Sequence, residues 1–174
     1  MFRPVFVRLS ARTIAKADRY GLARHWMALG HRLRDVNNLI VDELAALALH
    51  ILGCRTELAG QGFLPSARWL PLEDIRGGDE KKLPDLVLPS GLSIDVKGSE
   101  LDRHRLIAPV NSLVEKYAYL FITAEHHPRY MIHGWLWGDE LLRCPVRELL
   151  PRRPCYVADR PLRDPRELLA AGVA

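Results

Sequence analysis

The sequence predicts a single α/β domain built around a mixed central sheet, and three observations carry that reading. Apolar residues recur at helical spacing early in the chain, at Ile14, Leu22, Trp26, Leu29 and Leu33, and again almost without a break over 39–52. Two short apolar runs flank Pro89-Ser90-Gly91, which reads as a hairpin over 83–98. Two segments rich in aromatic and β-branched residues, 117–124 and 130–137, read as strands. A helical first part followed by strands and then short helices gives a sheet covered by helices. At 174 residues the chain suits one domain with a real core. It divides into a basic helical extension (1–35), a core (36–150) and a C-terminal tail with a helix (151–174).

In chain order, Ser10 to about Arg34 is helical, with Gly21 and Gly30 as weak points and Asn37-Asn38 as a break. A second helix runs from Leu39 to Leu52 and stops at Gly53; it is apolar nearly all round and should be buried. Arg55 to Leu72 is punctuated by Gly60, Gly62, Pro65 and Pro71 and is read as holding a strand. Asp74 to Lys82 is a polar loop, and the hairpin follows. Leu106 to Val110 is extended, and Asn111 to Lys116 makes a short helical turn. The two aromatic strands turn at Glu125 to Arg129; Gly138-Asp139 opens a helix limited by Pro145. Pro151 and Pro154 mark an irregular tail before a last helix at Asp164 to Ala171.

Composition narrows the function classes. The hydrophobic fraction of 48% and charged fraction of 26% are those of a soluble globular protein. No apolar run approaches the roughly 18 residues of a membrane span, so no membrane partner is expected. Met1 to Leu9 carries Arg3 and Arg8 and has no apolar leader core. Cys54, Cys144 and Cys155 are odd in number and widely spaced, which argues against a disulfide framework or a zinc site. A cytoplasmic protein with free thiols is the simplest expectation. Residues 1–34 hold eight basic residues and Asp18 alone as acid, a local +7 within a net +4, so the remainder is net −3. Such a basic end fits a polyanionic partner, and equally a solvated helix face.

The hairpin carries the chemistry. Its turn places Asp85 opposite Asp95 to within one residue of register. Two carboxylates about 5 Å apart repel unless a cation lies between them. Lys97, two residues on from Asp95, projects from the same sheet face. Phosphodiester hydrolysis needs charge neutralised on the scissile phosphate together with a strong nucleophile, which a bound Mg²⁺ supplies with oxygen ligands. Asp85, Asp95 and the backbone carbonyl of Val96 offer such ligands; the Lys97 ammonium offers transition-state stabilisation or orientation of water. Glu43 sits mid-helix among Leu39, Ile40 and Leu47, a costly place for a carboxylate unless it is paired or binds metal. Snorkelling to the helix edge or pairing with an arginine are its alternatives, and Asp42 competes for its role. Arg103, His104 and Arg105, just after the hairpin, are candidates for phosphate contact.

These residues resemble the PD-(D/E)XK, or restriction-endonuclease-like, nuclease superfamily. The resemblance rests on Pro84-Asp85, on Asp95-Val96-Lys97 with Gly98 following, on the helical acid Glu43, and on the apolar strand after the hairpin; it covers about residues 36–137. It implies an α-β-β-β-α-β core, dependence on Mg²⁺ or Mn²⁺, and cleavage of DNA in phage DNA processing, restriction or recombination. It further implies Asp85 and Asp95 as metal ligands, Lys97 as the catalytic lysine, Glu43 as an accessory metal or water ligand, and admits a homodimer. The His133 to Leu141 segment is similar to the strand-to-helix tail of phage and restriction-type members. The cysteines of the iron–sulfur branch and the glutamine-plus-tyrosine motif of end-resecting members are absent.

Other residues have plainer readings. His126, His127 and His133 lack zinc spacing and read as polar surface. Trp26, Trp69, Trp135 and Trp137 are candidates for base stacking, with core packing the stronger reading for most. Lys116 reads as surface and Tyr117 as core, although both are within reach of the hairpin. Two hypotheses from different classes follow: a metal-dependent deoxyribonuclease, and a non-catalytic nucleic-acid-binding or assembly module on the same fold.

Overall fold

In the computed structural model of the chain, residues 2–29, 55–71, 83–98, 105–150 and 153–171 are described, with side chains for all of these but 21–29, 125 and 150. The architecture is mixed α/β, with one six-stranded mixed sheet and one three-stranded sheet. The main sheet runs β1 (Val5–Arg8), β7 (Arg129–Trp137), β6 (Ala118–His126), β4 (Ser93–Gly98), β3 (Leu86–Val87), β2 (Arg68–Trp69). The small sheet runs β5 (Ile107–Pro109), β9 (Arg153–Val157), β8 (Val146–Leu150). Among the described residues four helices accompany them: α1 (Ala11–Leu29), α2 over residues 55–63, α3 (Gly138–Leu141) and α4 (Arg166–Ala171).

The hairpin forms as its turn residues require. Leu86 pairs with Ile94 and Val87 with Ser93, a register that sets Asp85 against Asp95. Gly91 closes the turn with φ of +84°, donating its N–H to the Leu88 carbonyl at 2.9 Å. β4 then pairs in parallel with β6, Asp95 beside Tyr119 and Lys97 beside Phe121. Parallel neighbours need a crossover, and here it includes β5 and a 3₁₀ turn at Val110–Ser112.

Strand alternation divides β4 between two environments. Ile94 and Val96 pack with Leu58 and Ala59 of α2, Ala17 of α1, and Leu120 and Ile132. On the other face, Tyr119, Phe121 and Leu136 pack with Leu106, Ala108 and Ala158 beside the small sheet. Asp95 and Lys97 belong to this second face.

Several expectations need correction. The 55–72 segment is first a helix, and only Arg68–Trp69 is a strand. Gly60 is not a break: a Cβ there would meet the Leu86 side chain at 2.9 Å and Val96 at 3.1 Å, so it lets α2 lie close on the hairpin. The N-terminal extension is not purely helical, because β1 precedes α1 and forms one edge of the main sheet. The tail is not irregular at Pro154, because β9 pairs antiparallel with β8; Pro151 lies outside the described residues. Pro154 is tolerated since it pairs with Glu148 at a register shift, beyond the reach of β5, which pairs only as far as Cys155. The expected helix over 39–52 and the polar loop over 74–82 lie outside the described residues.

Candidate active site

The hairpin and the parallel strand β6 gather the polar groups. Asp85 stands just before β3, and its Oδ2 accepts the backbone N–H of Val96 at 2.8 Å. A side chain thus satisfies a strand N–H where β3 ends. Asp95 is buried, its side chain 9% exposed, and the Lys97 ammonium lies 2.5 Å from its Oδ1. Lys97 is 24% exposed and passes 5.9 Å from the centre of the Tyr119 ring. The ammonium therefore stands between a desolvated carboxylate and solvent.

Burial pushes the Lys97 ammonium towards neutrality, yet its pKa lies above the ordinary lysine value. The charges of Asp95 and Asp85, the hydrogen bond to Asp95 and the charge of Glu57 together outweigh desolvation. Tyr119 is raised strongly by burial, against the hydrogen bond its hydroxyl accepts from the Val114 N–H at 2.8 Å; Asp95, Tyr117 and Asp85 raise it further. Tyr117 is raised by burial and then by the charge of Asp95. Both phenols stay protonated and able to donate at neutral pH.

Glu57, on α2, is the acid that sequence reasoning missed. It is buried at 9% exposure and its charge reaches Lys97. Gly98 makes room for the neighbouring Thr56: a Cβ there would collide with the Thr56 side chain, so the end of β4 lies against the start of α2. A signal was present in the sequence, since Glu57 and Gln61 share one helix face beside the apolar Leu58, Ala59 and Phe63. Gln61 is buried as well; its amide N–H₂ donates to the Ala67 carbonyl and anchors the chain as it leaves α2.

Of the residues singled out from sequence, Asp85, Asp95, Val96 and Lys97 come together. Glu43, Arg103 and His104 lie outside the described residues, and Arg105 is exposed at the approach to β5. The histidines stand apart: His133 Nε2 is 2.7 Å from Thr123 Oγ1, and His127 Nδ1 is 2.9 Å from the Tyr130 hydroxyl. Trp135 is core, donating its indole N–H to the Asp164 carbonyl at 3.0 Å. Trp69 is buried too, stacked on Tyr20 at 4.7 Å.

As a donor set, two carboxylates and a backbone carbonyl suit a hard cation such as Mg²⁺, which takes one or two carboxylates and keeps several waters. Among the described residues no group of three or more His, Cys, Asp and Glu gathers at metal-binding distance. Glu57 enters the site through its charge on Lys97. Comparison with protein-family models, with curated proteins and with solved structures gives no match.

Proposed function

We propose that this protein is a metal-dependent nuclease that hydrolyses DNA phosphodiester bonds on a PD-(D/E)XK plan. The observation that carries the proposal is the convergence of Asp85, buried Asp95 and Lys97 at one end of the hairpin. The order of elements supports it: helix 55–63, the antiparallel β2, β3 and β4, then β6 parallel to β4. The α-β-β-β-α-β order differs in the crossover, where the described residues hold β5 and a 3₁₀ turn.

Asp85, Asp95 and the Val96 carbonyl would hold Mg²⁺ or Mn²⁺, which when bound supplies Lewis acidity toward the phosphoryl oxygens. The chain's own residues do the rest. Lys97, ion-paired to Asp95, acts as a hydrogen-bond donor toward charge that builds on the phosphate, an effect strengthened by its low-dielectric surroundings. Tyr119 and Tyr117 wall the site with protonated phenols and keep bulk water from its floor. Glu57 adds negative charge that favours the Lys97 ammonium from the helix layer. A homodimer would place two such sites on opposite strands of a duplex.

The test is incubation with linear, circular, single-stranded and branched DNA in Mg²⁺, Mn²⁺ or EDTA, beside Lys97→Ala and Asp95→Ala. Cleavage is expected with either metal and is lost in EDTA and in both variants. Cleavage that survives EDTA or either substitution sinks the proposal. A protein that cuts nothing but retains DNA in a salt-sensitive way is instead a non-catalytic binding module.

A further inference from the structure

We infer that the open end of the Lys97-bearing sheet face, built from Arg8, Arg129, His126 and Phe6, binds single-stranded DNA and leads it to Lys97. This inference rests on the nuclease reading for what happens at Lys97, but not for the binding itself.

Its basis is a cross-strand row that repels itself. Arg8 of β1 lies directly opposite Arg129 of β7, and Arg129 is in turn paired with His126 of β6. All three side chains are exposed. Like charges directly opposite in an antiparallel pair destabilise a sheet. Among the described residues neither guanidinium has a carboxylate partner to relieve the repulsion. A bound anion relieves it, and two guanidinium forks side by side match phosphate oxygens.

The next row along the strands supplies a stacking surface. Phe6 pairs with Met131, which pairs with Thr123. Phe6 is 56% exposed, an unusual position for phenylalanine in a strand, and its ring stands on the same face as Arg8. The row after that holds Phe121, stacked on His133 at 4.8 Å, and beside Phe121 stands Lys97. From Arg8 to Lys97 is three strand spacings and two steps of residue pairs, about 20 Å along the sheet diagonal. Among the described residues, the cluster beside the small sheet reaches Tyr119, Phe121 and Leu136, and the far end of the face is exposed at Phe6, Arg8, His126 and Arg129.

An exposed aromatic between a basic row and a reactive centre fits an unpaired strand: phosphates on the arginines and a base on the ring. A duplex keeps its bases stacked inward and has no use for Phe6. Among the described side chains of the N-terminal segment, Arg3, Arg8, Arg12, Lys16 and Arg19 outnumber Asp18, and this positive charge adds long-range attraction for a polyanion.

The experiment measures fluorescence anisotropy of a labelled 20-nucleotide single strand, and of the matching duplex, against salt in EDTA with the full chain. The variants are Arg8→Ala, Arg129→Ala, Phe6→Ala and, as an exposed arginine on β8, Arg147→Ala. Each of Arg8→Ala and Arg129→Ala should lower the single-strand salt slope by about 0.7. Phe6→Ala should weaken single-strand binding about tenfold and leave duplex binding unchanged. Arg147→Ala should leave both unchanged. Absence of single-strand binding, equal effects of Arg147→Ala, or losses confined to the duplex would overturn the inference. So would single-strand binding untouched by the three variants while sedimentation shows that they dissociate a dimer; β1 is then an edge paired with a second copy. Because EDTA blocks the proposed chemistry, binding with these signatures but without cleavage in Mg²⁺ defeats the nuclease reading alone. Cleavage with unaltered strip variants defeats this inference alone.

Discussion

The Lys97 ammonium lies 2.5 Å from Oδ1 of Asp95, its neighbour two residues back on the same strand. Side chains at that spacing share a sheet face, so the contact is built into β4 and needs no other element to align it. On the proposed function Lys97 has two duties, facing the phosphate and neutralising a buried acid.

Those duties separate in variants. Lys97→Ala strands a desolvated carboxylate and should destabilise the fold by about 3 kcal/mol. Turnover should also fall about 100- to 1,000-fold, the loss that follows removal of a transition-state donor. Asp95→Asn with Lys97→Ala removes both charges and should recover part of the stability without recovering turnover. Urea unfolding alongside a plasmid-nicking assay checks both halves.

Asp85 holds Val96 N–H at 2.8 Å, so it closes the hairpin before it serves any ligand. Asp85→Ala should cost about 2 kcal/mol, the range for a hydrogen bond to a charged acceptor. Asp85→Asn keeps an acceptor oxygen there and should cost less than half as much while abolishing metal-stimulated cleavage. Thermal unfolding with and without Mg²⁺ distinguishes the two: the ion should raise the midpoint of the native protein and leave that of Asp85→Asn unmoved.

Gly98 is where β4 meets α2. A Cβ at this position collides with the Thr56 side chain. Gly98→Ala should therefore destabilise the fold by about 1–3 kcal/mol, the cost of overpacking. By shifting the start of α2 against β4, the same change should lower turnover more than substrate binding on the proposed function. Pairing Gly98→Ala with Thr56→Ser, which removes the colliding methyl, should restore most of both.

Glu140 gives the fold an acid limb. Its carboxylate accepts from Arg163 at 2.9 and 3.2 Å and from the Trp137 N–H at 2.9 Å, tying α3 to the segment that bridges β7. The Arg163 hydrogen bond, opposed by burial and aided by the Trp137 N–H, holds its pKa below the ordinary 4.5. A depressed folded pKa means stabilisation that is complete above the unfolded value and is lost as pH falls through the folded one. Arg163 is 43% exposed, so solvent screens the pair and its worth is about 1 kcal/mol or less. Glu140→Gln should flatten the fall in stability below about pH 4.5 and change little at pH 7, as read by urea midpoints across that range.

Much of the fold was legible because local signals and tertiary placement agree. Pro89-Ser90-Gly91 could only be a turn, and the alternation on either side fixed which residues share a face. The aromatic strands β6 and β7 and the short extended piece β5 fell where their composition put them. What was missed has physical reasons. Gly60 and Gly62 look like helix breakers, yet each sits where a side chain would strike a neighbour across the packing interface, Leu86 for one and Leu9 for the other. Glu57 was hidden with the helix that carries it. The alternation Val5-Phe6-Val7-Arg8 was open to view, but its strand needs β7, more than a hundred residues away, to become one. Pro154 argued against a strand because the length of β5 cannot be read from composition.

The parallel pairing of β4 with β6 also governs when the site comes into being. The hairpin is local and forms within one short stretch, whereas Tyr119 and Phe121 arrive only after some twenty further residues have crossed back over the sheet. Non-local pairings of this kind are the slow steps of folding. A chain released just past Gly98 would carry Asp85, Asp95 and Lys97 in water. The docking of β6 is what takes three hydrated side chains out of water, so on the proposed function cleavage awaits completion of the sheet.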